Sequence, residues 1–258
     1  MPPIARPPLQ APVPLPAPFT HIDIVAESPS TNAELLARGP AGTVLAAEHQ
    51  TAGLGRLGRV WMSPPRAGLT VSMALDPAAD GIGPADWGWL PLLAGVALSE
   101  AVGEPDAALK WPNDLLWAPT GQKLAGILVQ SDGRLAVIGV GLNVTVTAAE
   151  LPVPHSSSLQ RVGARELDRS VLLRRLLAGV GAGYGQLAAG DGAGLRAAYR
   201  QRCLTIGQRV RVSAVAGPDV VGTALDIDAS GRLVVATDDG GEQSVSAGDV
   251  AHLRPAQT

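Results

Sequence analysis

Apolar residues recur along this chain with two different periods, and the switches between them outline its elements. From Asp86 to Val102 they fall at Leu90, Leu93, Ala94, Ala97, Leu98 and Ala101, the three-and-four spacing of a helix face. Ala33 to Arg38 predicts a shorter helix, entered through the polar run Ser28-Pro29-Ser30-Thr31-Asn32 and stopped by Gly39-Pro40. Ser170 to Leu187 and Leu195 to Arg202 also read as helices. Strand patterns lie between them. Gly42 to Glu48 leads into a glycine-rich loop, and Leu69 to Leu75 alternates like a strand with one face buried. Ala108 to Trp111, Leu115 to Trp117, Lys123 to Gln130 and Arg134 to Val144 read as four successive strands. Gly121 marks the turn before the third of these, and Asp132-Gly133 is a hairpin turn before the fourth.

From Gly207 the texture changes. Gln208 to Val215, Val220 to Asp228, Arg232 to Thr237 and Gln243 to Ser246 are short strands, punctuated by Gly217-Pro218, Ser230-Gly231 and Gly240-Gly241. A tight meander of this length predicts a small β-barrel. The expected organisation is a Pro-rich tail over 1–18, an α+β domain over 19–205 and a barrel over 206–258. The first eighteen residues hold eight prolines, which predicts an extended, loosely held segment. They have neither a polybasic start nor an unbroken apolar run, so they are no signal peptide. The apolar stretch from Trp87 to Leu98 is too short to span a bilayer and contains Pro91. A soluble, cytoplasmic protein is expected.

Composition narrows the function classes. Hydrophobic residues are 46% and charged residues 17% of 258, enough for a real core and against a disordered chain. The net charge of −3 provides no global basic field for nucleic acid. The lone Cys203 excludes an internal disulfide framework and reads as a small buried apolar residue. His21, His49, His155 and His252 are scattered without the spacing of metal ligands.

Chemistry concentrates in two runs. The first is Gly53-Leu54-Gly55-Arg56-Leu57-Gly58-Arg59-Val60-Trp61. It fits G-x-G-x-x-G, but Pro64-Pro65 follows too soon for the helix that a dinucleotide fold requires, and no P-loop sequence is present. What remains is a loop whose main-chain N–H groups can approach an anion and which carries two arginines, or else a surface loop with solvated arginines. The second run is Lys110-Trp111-Pro112-Asn113-Asp114, followed by Lys123-Leu124-Ala125-Gly126-Ile127-Leu128. Asn113 can donate and accept, and Asp114 could hold a Mg²⁺ that chelates phosphates. Lys123 opens an otherwise apolar strand. It needs an anionic partner if buried, or it snorkels to solvent from an edge. Donors and cations gathered in this way suit a phosphate or an acyl-phosphate.

These runs resemble those of the bacterial biotin protein ligases. The similarity includes Ser30-Thr31-Asn32, Glu48-His49-Gln50-Thr51-Ala52-Gly53 and Gly139-Val140-Gly141-Leu142-Asn143-Val144, in the family's order across most of residues 22–255. The resemblance implies a mixed sheet flanked by helices, like that of class II aminoacyl-tRNA synthetases, followed by an SH3-like barrel. It also implies a two-step reaction. Biotin attacks the α-phosphate of Mg·ATP to give biotinyl-5′-AMP, and a lysine of a biotin carboxyl carrier domain then takes the biotin. Carried over position by position, Ser30, Thr31, Asn32, Gln50 and Gly126 border the biotin. Gly53, Leu54, Gly55 and Arg56 belong to a loop that folds over it. Arg59, Trp61, Lys110, Asn113, Asp114 and Asn143 face ATP. Lys123, with Arg56, is the catalytic cation, bridging the biotin carboxylate and the α-phosphate.

Two departures from the family pattern stand out. The usual loop reads Gly-Arg-Gly-Arg, and Leu54 replaces its first arginine. Many relatives also carry an N-terminal helix-turn-helix. The Pro-rich stretch here is too short and too helix-averse for one, so no DNA partner is expected. Relatives are monomers or homodimers. Lipoate–protein ligase, which shares the fold, and a catalytically idle biotin sensor are the rival readings.

Overall fold

The computed structural model describes residues 6–151, 153–214, 218–246 and 248–252. The chain runs β1 (His21–Val25), α1 (Thr31–Arg38), β2 (Thr43–Ala47), a small ribbon of β3 (Gly53–Leu54) and β4 (Val60–Trp61), β5 (Gly68–Leu75), α2 (Trp89–Val102), β6 (Ala107–Lys110), β7 (Asp114–Trp117), β8 (Gln122–Ser131) and β9 (Ala136–Asn143). Two helices follow, α3 (Arg169–Ala188) and α4 (Gly192–Arg202). The last strands are β10 (Arg209–Ala214), β11 (Val220–Ile227), β12 (Leu233–Thr237), β13 (Glu242–Val245) and β14 (Gly248–His252). Of the turn and strand residues expected near the β10–β11 connection, 215–217 lie outside the described residues.

Seven strands form one mixed sheet in the order β1-β2-β5-β9-β8-β7-β6, with β1 and β2 parallel and the other neighbours antiparallel. Side chains alternate across a strand, so each central strand serves two environments. On one face Val44, Ala46, Val71, Met73, Leu75 and Ile138 join the apolar core with α2 and α3. On the other, Leu45, Ala74 and Val137 pack with Leu35 of α1 as a separate cluster. Beyond α1 that second face is open and polar. Strand β5 is therefore buried along its whole length, which corrects the half-buried alternation expected for it. Thr70 and Ser72 hide under α1 and the cavity described below instead of facing water. Helix α2 is similarly buried nearly all round, between the sheet and α3.

The helix ends follow their sequence signals. Ser30 caps α1 by accepting from the Ala33 N–H, and the Asp168 carboxylate caps α3 by accepting from Ser170 and Val171. The last five strands form an antiparallel sheet in the order β13-β12-β11-β10-β14. Two indoles, from the start of α2 and from the residue after β6, fasten it to the rest of the chain. The Trp89 Nε1 donates to the Ala229 carbonyl at 2.7 Å and the Trp111 Nε1 to the Gly231 carbonyl at 3.2 Å.

The described part of the Pro-rich segment is not a loose tail. Arg6 reaches the Glu150 carboxylate at 2.8 Å, and the Leu9 N–H donates to Glu48 Oε1 at 2.6 Å. Arg169 holds Glu48 in a buried ion pair at 2.8 Å and also donates to the Pro7 carbonyl. The Leu9 N–H on Glu48 Oε1 and the Pro7 and Gly68 carbonyls on Arg169 offset part of the cost of burying this pair. The prolines limit the conformations available before docking, and the apolar Leu9 and Phe19 supply the anchor. Composition alone does not reveal such partners.

Candidate functional site

The open face of the large sheet is a trough, and local rules explain why it is hollow. Gly126 of β8 lies opposite Gly141 of β9, with Gly139 two residues along the same face. Three glycines on neighbouring strands remove the side chains that would otherwise fill the space. The gap is taken by others. The Asn32 carboxamide lies against Gly139 and the Trp61 indole against Gly141, both so closely that an added Cβ would overlap them. The resulting cavity has a volume of about 610 Å³.

One end is a hydrogen-bonded polar nest. The Ser72 hydroxyl, fully buried, lies 2.7 Å from Thr31 Oγ1 and 2.6 Å from Asn32 Oδ1, and donates to one of them at a time. Asn32 Nδ2 donates to the Leu128 carbonyl at 3.1 Å and to Gln130 Oε1 at 3.0 Å. Gln50 Oε1 accepts from the Thr31 N–H at 3.0 Å and from the Thr31 hydroxyl at 3.1 Å. The helix start at Ser30 thus presents short polar groups fixed in direction, suited to a ligand with both donors and acceptors.

The other end is cationic. Lys123 Nζ lies 2.6 Å from Asp114 Oδ1, and Arg56 Nη1 donates to Asn113 Oδ1 at 3.3 Å, so the two cations meet on adjacent residues. A register shift places Lys123 there. Leu115 pairs with Ala125 but Leu116 pairs with Lys123, leaving Leu124 as the extra residue of a bulge. Without it, the two-residue alternation would turn Lys123 toward the apolar core. Burial holds the Lys110 ammonium below its ordinary pKa; Asp114 opposes that shift, and Lys123 and Arg59 add to it. Burial likewise lowers the Arg56 guanidinium, with Asp114 opposing. Arg56, Lys110 and Lys123 share the one carboxylate that lines the cavity. Cations partly stripped of water around a single anion are poised for a second, incoming anion.

Asp114 fits a metal only in a limited sense. It offers one carboxylate, and among the described residues no group of three His, Cys, Asp or Glu side chains could cage an ion. That donor set matches a Mg²⁺ held mainly by substrate phosphates.

Of the residues singled out from the sequence, Ser30, Thr31, Asn32, Gln50, Leu54, Gly55, Arg56, Arg59, Trp61, Asn113, Asp114, Lys123, Gly126 and Asn143 line this cavity. Gly53 and Lys110 do not. Gly53 packs on the Gln50 side chain and the Trp61 carbonyl, and Lys110 pairs with Asp114 across β6 and β7. Asn143 is buried and spends its amide on the Ser157 carbonyl at 3.0 Å. Thr70, Ser72, Gly139, Gly141, Leu128, His155 and Ser156 also line the cavity, although the sequence assigned them no role there. The pair Gly139 and Gly141, two residues apart in β9, and a serine inside an apolar strand were the available signals. The loop carrying Arg56 bends sharply, with Leu57 at φ 56°, and its arginine also donates to the Gly248 carbonyl of β14 at 3.1 Å.

Residues 24–144 match the biotin/lipoate A/B protein ligase family, and residues 205–253 match the biotin protein ligase C terminal domain. The chain is 45% identical to the biotin–acetyl-CoA-carboxylase ligase of Mycobacterium tuberculosis, over 92% of this chain and 90% of that protein. It is 30% identical to the bifunctional ligase/repressor BirA of Bacillus subtilis, over 87% of this chain and 71% of that protein. Its fold is similar to that of the biotin protein ligase from Aquifex aeolicus in complex with biotin and ATP, with a TM-score of 0.78 and 25% identity over 92% of this chain and all of that one.

Proposed function

Because the chain belongs to the biotin/lipoate A/B protein ligase family, we propose that it is a biotin–acetyl-CoA-carboxylase ligase that activates biotin with ATP and passes it to a carrier lysine. The observation that carries the reading is the meeting of Lys123 and Arg56 on Asn113-Asp114 at one end of a trough whose other end is a polar nest. Biotin's ureido ring goes to Ser30, Thr31, Asn32 and Gln50, and its carboxylate points toward Lys123. ATP lies over Arg56, Arg59, Trp61, Lys110, Asn113, Asp114 and Asn143.

In the first step two anions meet, and negative charge grows on a five-coordinate phosphorus. Lys123 and Arg56 hold those oxygens with cations already oriented by Asp114 and Asn113, so little reorganisation accompanies the reaction. No base is required there, since a carboxylate is already a nucleophile. Mg²⁺ brought with ATP would neutralise phosphate charge beside Asp114. Leu54 projects from the loop without a charge, so retention of the intermediate falls to Arg56. The catalytic unit is 19–205 and the C-terminal unit 206–258; of the latter, 215–217, 247 and 253–258 lie outside the described residues. A cytoplasmic location and the absence of an operator-DNA partner are part of the same proposal. Among the described residues no helix is long and apolar enough to cross a membrane.

The test is to incubate the chain with biotin, ATP and a biotin carrier domain and to look for a biotinylated lysine by intact mass. Competing lipoate against biotin in a pyrophosphate assay separates the two branches of the family. No pyrophosphate with either acid would leave only the idle sensor.

A further inference from the structure

The residues placed so far serve the first half-reaction, yet the second has a requirement of its own. A carrier lysine arrives as an ammonium, which has no lone pair, so it must lose a proton before it attacks. The titratable residues lining the cavity are Arg56, Arg59, Asp114, Lys123 and His155. The three cations cannot take a proton. Asp114 is engaged with Lys123 at 2.6 Å. His155 is the remaining base, and its type is the one that changes charge near neutral pH.

Its position suits the task. The His155 carbonyl accepts the Lys123 N–H at 2.8 Å, the Ser157 N–H donates to the Lys123 carbonyl at 2.8 Å, and Ser156 bridges to Lys123 in parallel. The backbone at 155–157 is thus fastened directly alongside the residue proposed to hold the acyl-phosphate. His155 is exposed while lining the same cavity, so it stands where the trough meets solvent, the side from which a carrier lysine can approach.

We propose that His155 is the base of the transfer step, resting on the ligase reading above. The ammonium gives one proton to the imidazole. The freed lone pair forms the C–N bond with the acyl carbon of biotinyl-5′-AMP, and the bond from that carbon to the phosphate oxygen breaks. AMP leaves with the electron pair, and the second proton passes from the amide-forming nitrogen to solvent. Lys123, Arg56 and Arg59 face the same cavity and keep the leaving phosphate in place, with Asp114 orienting Lys123.

The experiment reads the two half-reactions separately in the full chain. Pyrophosphate release reports adenylation. Single-turnover transfer from preformed enzyme-bound biotinyl-5′-AMP to a carrier domain, followed by intact mass from pH 5.5 to 9.5, reports the second step. In His155→Gln the ratio of transfer to adenylation rates should fall about 100-fold near neutral pH, as for loss of a general base. The deficit should narrow at high pH, where lysine deprotonates unaided. Hydroxylamine, unprotonated at neutral pH, should capture the intermediate equally well in both proteins, and added imidazole should restore transfer to His155→Ala. An unchanged ratio across the pH range overturns the proposal. So does a parallel fall of both half-reactions, which would mean a structural role. Loss of the pH limb in Asp114→Asn but not in His155→Gln overturns it in favour of the carboxylate. If the parent chain releases no pyrophosphate with biotin and ATP, the ligase reading itself has failed.

Discussion

Strands β5, β8 and β9 present two opposite surfaces built from alternate residues. Met73, Ile138 and Leu142 enter the apolar core with α2 and α3, while Ser72, Gly139, Gly141 and Asn143 border the cavity. The helix-facing surface is filled to the density of a core, and the site-facing surface is hollowed by glycine. Rigid packing on one side therefore fixes the position of the other. The comparison teaches that the strands contribute stability through one set of residues and chemistry through the next, with a spacing of one residue between them.

The sharpest way to break this division is Lys123→Ala. Adenylation should fall by about 10²–10³-fold, or about 3–4 kcal/mol of transition-state stabilisation. The thermal midpoint should stay within a few degrees, because Lys123 is partly exposed. Pyrophosphate release at the parental rate would remove Lys123 from the mechanism. On the opposite face, Ile138→Ala should cost about 2–4 kcal/mol in a denaturant titration by opening a cavity. Biotin affinity of the folded fraction should hold; a large drop would show that the two faces are not separable.

Gly141→Ala sharpens the same point from the site side. Its new methyl meets the Trp61 indole, so biotin binding measured by calorimetry should weaken about tenfold, or about 1.4 kcal/mol. Arg56→Gly removes the cation that joins the loop to Asn113 and to β14, and severalfold more biotinyl-5′-AMP should escape. Labelling of non-acceptor proteins in the reaction measures that escape, and unlabelled bystanders would dismiss the clamp.

The smallest effect concerns the Arg6–Glu150 link that helps to hold the Pro-rich segment. The Arg6 guanidinium, with the Thr147 N–H, lowers the Glu150 carboxyl from 4.5 to about 2. A carboxyl lowered on folding stabilises the native state above its unfolded pKa, and that contribution disappears as pH falls through the folded value. The stability difference between the parent and Arg6→Ala should therefore be full above about pH 4.5 and vanish toward pH 2. Acid titrations followed by circular dichroism would show it, and a difference that persists at pH 2 would mean that packing, not charge, holds the strap.

Much of this was legible in the linear chain because the signals were local. Helix α1 was announced by Ser30 and stopped at Gly39-Pro40, and the hairpin between β8 and β9 by Asp132-Gly133. The paired runs around Arg56 and Lys110–Asp114 carried enough cations and turn residues to mark an anion site. The burial of β5 on both faces was not legible, because an alternating pattern does not say whether its polar half meets water or a buried cavity. The strand β14 and the docking of the Pro-rich segment escaped for a related reason. Strand β14 is defined by its pairing with β10 across two intervening hairpins, and residues 6–10 are held by Thr145 and Ser170, far along the chain.

The sequence by itself determined the helices and most of the strands in order, the chemical types at the site and the likeness to biotin ligases, since these are written in period, turn residues and short runs. Only the tertiary structure decided which face Lys123 occupies, through one extra residue in β8. It also decided that Gly126, Gly139 and Gly141 form a single floor, and that His155 comes alongside Lys123. Those outcomes follow from inter-strand register and from long-range closure, energies that arise only when distant segments are brought together.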